Sequence, residues 1–242
     1  MRKFIMITGL FFILFILAGF LADYFYYGPV KQQEVKKGML KQLSSKYGKD
    51  FIVNHIIYEK ALGDDEGMYS AEVYPKGNKD LEFQVFVSEN GKLVDESFKE
   101  TKWRSEAIKS WEPFMSKFGN ITYAVNIHIP EEIAEQYSVE DTYEEIYQKH
   151  KHLMSEYVFI GQIEKSFDKK KETARVIEMA NHALQRELKD FSVEWTYYEK
   201  GKKNADVFEL RDTVPSYSWR FSRKGVSNGV TAESLEPFFT QH

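Results

Sequence analysis

One twelve-residue stretch of the chain occurs twice, and it limits the fold more than any other feature. Lys49-Asp50-Phe51-x-Val53 followed by Tyr58-Glu59-Lys60 returns as Lys189-Asp190-Phe191-x-Val193 followed by Tyr198-Glu199-Lys200, at a constant offset of 140. In both places a helical apolar stripe stops just before the Lys-Asp-Phe, and a strand-like alternation starts there. Even the sequel is echoed, Glu112-Pro113-Phe114 by Glu236-Pro237-Phe238. A repeat of this kind points to one supersecondary unit built twice. The expected class is therefore α+β, with two related units, each a helix followed by an antiparallel meander.

Residues 31–47 place Val35, Met39, Leu40, Leu43 and Tyr47 at helical spacing, with Gly48 as the C-terminal cap. Phe51, Val53, His55 and Ile57 then alternate, as do Tyr69, Ala71 and Val73, and again Leu81, Phe83, Val85 and Val87. Asn90-Gly91 is a two-residue hairpin signal, with residues 92–98 as the return strand. Trp103, Ala107, Trp111, Phe114 and Phe118 line one side of a second helix that Pro113 would kink. Beyond it come a strand at 121–129, a mostly helical stretch to residue 154 with a capping box at Ser138-Val139-Glu140-Asp141, and a short strand at 157–163. A helix at 169–188 is expected to bury Ala174, Ile177, Ala180, Leu184 and Leu188. The second meander continues through 207–210 and through Tyr217, Trp219 and Phe221, to a turn at Ser227-Asn228-Gly229.

Residues 4–22 form an uninterrupted uncharged, mostly apolar run, preceded by Arg2 and Lys3 and followed by Asp23. About 20 such residues at 1.5 Å rise cross a bilayer, so the run predicts a transmembrane helix. In Phe20-Leu21-Ala22 the bulky Phe20 is the third residue before the possible cut, which disfavours cleavage as a signal peptide. Tyr24, Phe25, Tyr26 and Tyr27 would sit at the membrane interface. The flanking charges predict a single-pass cell-membrane protein with its N-terminus cytoplasmic and the rest extracytoplasmic. The resulting division is a cytoplasmic tip at 1–3, the span at 4–22, a juxtamembrane linker at 23–30, a first unit at 31–118, a connecting strand and helix region at 119–168, and a second unit at 169–242. With 33 basic against 37 acidic side chains, the chain lacks the basic excess of a nucleic-acid surface. It also has no cysteine, so its cores must suffice without disulfides.

Sites of chemistry are sparse. His55 shares an alternation with Phe51 and Val53 and reads as a packing residue. His150 and His152 point apart on a helix, and the His152/Glu156 spacing lacks a third metal ligand. Asp64, Asp65 and Glu66 make a loop too short for calcium, and Lys169-Lys170-Lys171 reads as exposed. No phosphate loop, nucleophile elbow, zinc-protease motif or catalytic cysteine is present, so no catalytic residue, cofactor or metal is expected. What remains is aromatic. Phe86 lies on the outward set of its strand with Glu82, Gln84 and Ser88, and Tyr58 falls off the inward set of its own. Phe86, Tyr58 and Gln84 are therefore the candidate partner-binding residues, since the matching positions of the second unit, Ser218, Arg220 and Ser222, are more polar.

The helix end Lys46-Tyr47-Gly48-Lys49-Asp50-Phe51, the strand end Val73-Tyr74-Pro75-Lys76 and Leu81-x-Phe83-x-Val85 before Asn90-Gly91 resemble membrane-anchored extracytoplasmic proteins of Firmicutes, Gram-positive bacteria. Their outer part is built from tandem cystatin-like or PepSY-like units. The resemblance implies a non-catalytic module that binds protein, either immunity-like or a regulator of an envelope protein. Its partners would be the lipid bilayer, through residues 4–22, and a protein at the cell surface, with no nucleic acid. Two other readings are an envelope hydrolase using dispersed carboxylates such as Glu112, Asp141 or Glu145, and a structural subunit of a membrane assembly.

Overall fold

The structure, a computed structural model, describes residues 12–19, 21, 28–60, 66–163, 166–198, 210, 213–226 and 229–242. The chain divides into two compact units, with the boundary between Thr101 and Lys102.

The first unit opens with helix α1 (Pro29–Tyr47), which has its proline in the first turn and stops at Gly48. Gly48 takes a left-handed φ of 64° and donates its N–H to the Ser44 carbonyl at 2.8 Å. Four strands follow, β1 (Phe51–Glu59), β2 (Met68–Pro75), β3 (Phe83–Ser88) and β4 (Leu93–Glu96), antiparallel and in the order β1-β2-β3-β4. Val35, Met39 and Leu43 on the helix and Phe51, Val53, Tyr69, Ala71, Val73, Phe83, Val85 and Val87 on the sheet are all buried. Each such side chain contributes roughly 1.5–3 kcal/mol by leaving water. Gln42 ties the helix to the hairpin: its amide donates to the Gly91 carbonyl at 2.8 Å and its oxygen accepts from Leu93 N at 3.0 Å. Gly91, at φ 82°, makes the turn that brings this carbonyl round.

The alternation in β1 does not run straight through. Val53 faces Val73 but His55 faces Glu72, leaving Asn54 as a β-bulge. An extra residue flips the parity of everything after it. His55 and Ile57, expected inside, are exposed, and Ile56 and Tyr58 take the inner side.

The second unit is built on helix α2 (Phe98–Met115), whose stripe of Trp103, Ala107, Trp111 and Phe114 is buried as expected. Pro113 lies within this helix, which runs on for two further residues. Its sheet has five strands in the order β5 (Ile121–His128), β6 (Ser155–Ile163), β7 (Asp190–Tyr198), β8 (Tyr217–Ser222) and β9 (Phe239–Gln241). Short helices α3 (Glu131–Ala134) and α4 (Tyr143–His150) lie between β5 and β6, α5 (Lys169–Gln185) between β6 and β7, and α6 (Arg223–Val226) and α7 (Ala232–Leu235) between β8 and β9.

This sheet corrects the expected fold class. The second unit is not a helix with an antiparallel meander, because β7 pairs in parallel with β6. Parallel neighbours need a crossover, and α5 supplies it. The stretch read as a connection, 119–168, contributes β5 and β6 to the sheet itself. Lys49-Asp50-Phe51 and Lys189-Asp190-Phe191 do both enter strands, with Phe51, Val53, Phe191 and Val193 all buried, yet β1 is an edge strand and β7 a central one. The likeness is local and ends at the strand. On helix α5 and just beyond it, Ala180 and Leu188 are buried and Ile177 and Leu184 pack on the core as expected, while Ala174 is exposed and the buried side widens to take in Glu172, Val176, Met179 and Ala183. Glu172 can enter the core because Arg175 reaches it at 2.9 Å and the Tyr197 hydroxyl donates to it. The lysines at the start of α5 are tolerated because Asp168 accepts from the N–H groups of Lys170 and Lys171.

The expected membrane helix is corrected as well. Among the described residues no helix is long and apolar enough to cross a membrane. The expected single-pass cell-membrane localisation is corrected with it. Tyr24, Phe25, Tyr26 and Tyr27 lie outside the described residues, as do Asp64, Asp65, residues 207–209 and Ser227-Asn228.

Candidate functional site

The helix-bearing side of the first sheet is closed by its own core, so the side that can meet another molecule is the opposite one. Cross-strand pairs define it row by row, since residues directly opposite one another project to the same side. Ile57, Ser70, Phe86 and Asp95 form one row. His55, Glu72 and Gln84 form the next, and Ile52 pairs with Tyr74 beyond them. Glu59, Met68 and Ser88 close the other end. Ile52 is 38 % exposed, Ile57 36 % and Met68 40 %, so this face keeps large apolar side chains in water. The carboxylates of Glu59, Glu82 and Asp95 stand at the edges of this face and that of Glu72 in its middle. Asn54 in the bulge donates to Glu82 at 2.9 Å, which holds the bulged residue on the same open face.

Of the three expected contact residues, the structure brings Phe86 and Gln84 together on this face and separates Tyr58 from them. Gln84 is exposed and Phe86 half-buried. Tyr58, turned inward by the bulge, stacks at a tilt on Tyr69 with ring centroids 5.0 Å apart and donates its hydroxyl to Glu89. Glu89 also accepts from Gly67 N at 2.6 Å. Hydrogen bonds from the Tyr58 hydroxyl and the Gly67 N–H hold the Glu89 carboxyl below the usual carboxylate range. A Cβ on Gly67 would run into the Tyr58 ring, so this corner is a structural closure of the strand ends. His55 and Ile57, read as packing residues, belong to the open face instead. The signal that could have found them is the adjacent pair Ile56-Ile57, which lets the strand be read in either parity.

Two of the three carboxylates of the hydrolase reading are bonded to backbone and hydroxyl groups of the turns before α4. Glu112 is exposed on α2. Asp141 accepts from Ser138 N at 2.6 Å and Ser138 Oγ at 2.9 Å, and Glu145 accepts from Thr142 N and Thr142 Oγ1, both at 2.8 Å. Those bonds, backbone first, hold both carboxyls low, so each is an ionised cap and not a proton donor. The capping box itself is Thr142 with Glu145 at the start of α4, four residues later than expected. Glu156 is no partner for the exposed His152: it is buried on β6, gripped by Arg186 at 2.6 Å, Trp111 Nε1 at 2.9 Å and the Tyr143 hydroxyl. His150 meets the Tyr137 hydroxyl at 2.9 Å. Among the described residues no group of three or more metal-ligating side chains is gathered.

Taken together, the site belongs to the class of open antiparallel sheet faces backed by a single helix. No family model matches the chain, and no curated protein does. Among solved structures, the chain is similar to a DUF5037 family protein from Ruminococcus gnavus, at 17 % identity and a TM-score of 0.44, over 67 % of this chain and 74 % of that one. That distant likeness gives no support to the expected cystatin-like or PepSY-like units.

Proposed function

We propose that the chain is a non-catalytic protein-binding module, which holds its partner on the open face of the first sheet and so regulates or neutralises it. The observation that carries the reading is the apolar set Ile52, Ile57 and Met68, left in water, with the half-buried Phe86, spread across this face with Glu72 among them and Glu59, Glu82 and Asp95 at its rim. Apolar contact area interspersed with polar groups and bordered by charge is common in reversible interfaces. The sign of the rim selects a partner whose own apolar patch is bordered by Lys or Arg.

The test is photo-crosslinking from position 57, with a photoreactive phenylalanine in place of Ile57, set beside the same experiment on Phe86→Asp. One discrete partner should crosslink to the first protein, less so as salt rises, and disappear with Phe86→Asp while circular dichroism is unchanged. An identical set of crosslinked proteins with and without Phe86→Asp would end the proposal.

A further inference from the structure

The second sheet also has an outer face, and it is not flat. Phe159 on β6, Glu194, Thr196 and Tyr198 on β7, Ser218 and Arg220 on β8, and Thr213, Pro215 and His242 line a pocket of about 270 Å³. Leu210 packs on Phe159 and Tyr198 and closes one side. Thr196 is 1 % exposed and Ser218 7 %, so hydroxyls are buried here on the side of the sheet away from the main core.

The polar groups are matched to each other. Glu194 accepts from the Arg220 guanidinium and from the Tyr157 hydroxyl, both at 2.5 Å. Thr196 Oγ1 donates to the Ile160 carbonyl at 3.0 Å, and Ser218 Oγ and His242 Nε2 lie 2.9 Å apart. The carboxylate and guanidinium cancel, so an ionic ligand gains little here. Each carboxylate oxygen still has a lone pair, and Arg220 has further N–H groups. A hydroxyl can donate to Glu194 and accept from Arg220 at once, which neither a cation nor an anion can do. The pocket has room for one small ring. Apolar ring carbons of such a ligand would meet Phe159 and Tyr198.

We infer that this pocket binds a neutral polyhydroxylated ring, a single sugar unit, through Glu194, Arg220 and Ser218. The inference is independent of the first sheet's role. The probes are glucose, galactose and N-acetylglucosamine at millimolar concentration, added to the full-length ¹⁵N-labelled protein. At least one should shift the amide signals of Thr196, Ser218 and Arg220 in a saturable way and leave those of β1–β4 in place. Arg220→Met, at an exposed side chain, and Glu194→Gln should each weaken that binding by about tenfold, the loss of one charge-assisted hydrogen bond. Failure of all three sugars to move these signals would overturn the inference. So would wild-type affinity in both variants, or a response to glycine in place of the sugars, which would make the ligand zwitterionic.

Discussion

Glu156 shows how a single charge can sit inside this protein. Its side chain is out of contact with water, and Arg186, Tyr143 and Trp111 together occupy its oxygens. Removing one member of such a set leaves a buried charge without its partner and costs about 3–5 kcal/mol. Arg186→Met should therefore lower the unfolding free energy, from urea denaturation followed by tryptophan emission, by that amount, and adding Glu156→Gln should restore a large part of it. His182 behaves differently. It stacks on Phe114 at 3.9 Å, and burial, with Arg186 and Lys117 nearby, pushes its imidazole from the ordinary 6.5 down to about 4. The folded protein holds it neutral where the unfolded chain would protonate it. Its contribution is thus complete above pH 6.5 and lost as the pH falls toward 4. The stability gap between wild type and His182→Phe should shift in favour of the variant across that window, measured by denaturation at matched pH values.

At the level of elements, the helices were the most legible part of the sequence and the strand parities the least. The stripes of α1 and α2 appear in the structure as read, because a helix face is set by local spacing alone. A bulge is a property of a strand pair, and Asn54 carries no mark of one. That is why Tyr58 was placed on the open face and His55 and Ile57 inside. Likewise, nothing local says that β7 lies beside β6 in parallel, since pairing is decided by where α5 returns the chain. Of the candidate site, Phe86 and Gln84 were legible because β3 alternates without interruption. The bulge makes a direct prediction. Deleting Asn54 restores regular pairing and leaves His55 outward and Ile56 inward, so the variant should fold and lose at most about 1 kcal/mol, the worth of the Asn54 to Glu82 bond, by chemical denaturation. Thr142→Ala, by contrast, removes a reciprocal cap from α4 and should cost about 1 kcal/mol in the same assay.

For the molecule as a whole, the two units carry different spectroscopic signatures. All four tryptophans, at positions 103, 111, 195 and 219, follow the boundary at Thr101, and each is buried. Leu43→Ala, which empties a fully buried site of the first unit, should cost about 2–5 kcal/mol there. That loss should show in far-ultraviolet circular dichroism, with native tryptophan emission unaltered in position. In each sheet the strands also stand in the order in which the chain runs, β1 to β4 and β5 to β9. A ribosome releases residues from the N-terminus onward, at about 5–20 per second. Every strand after the first in its sheet therefore emerges to find its neighbour already made. Only β7 must wait, until the turn of helix ahead of it has doubled back. Translation through these units adds strands to a growing sheet at one edge only, and ribosomes stalled far enough beyond residues 163 and 198 for β6 and then β7 to clear the exit tunnel should bracket the moment when the parallel pair closes.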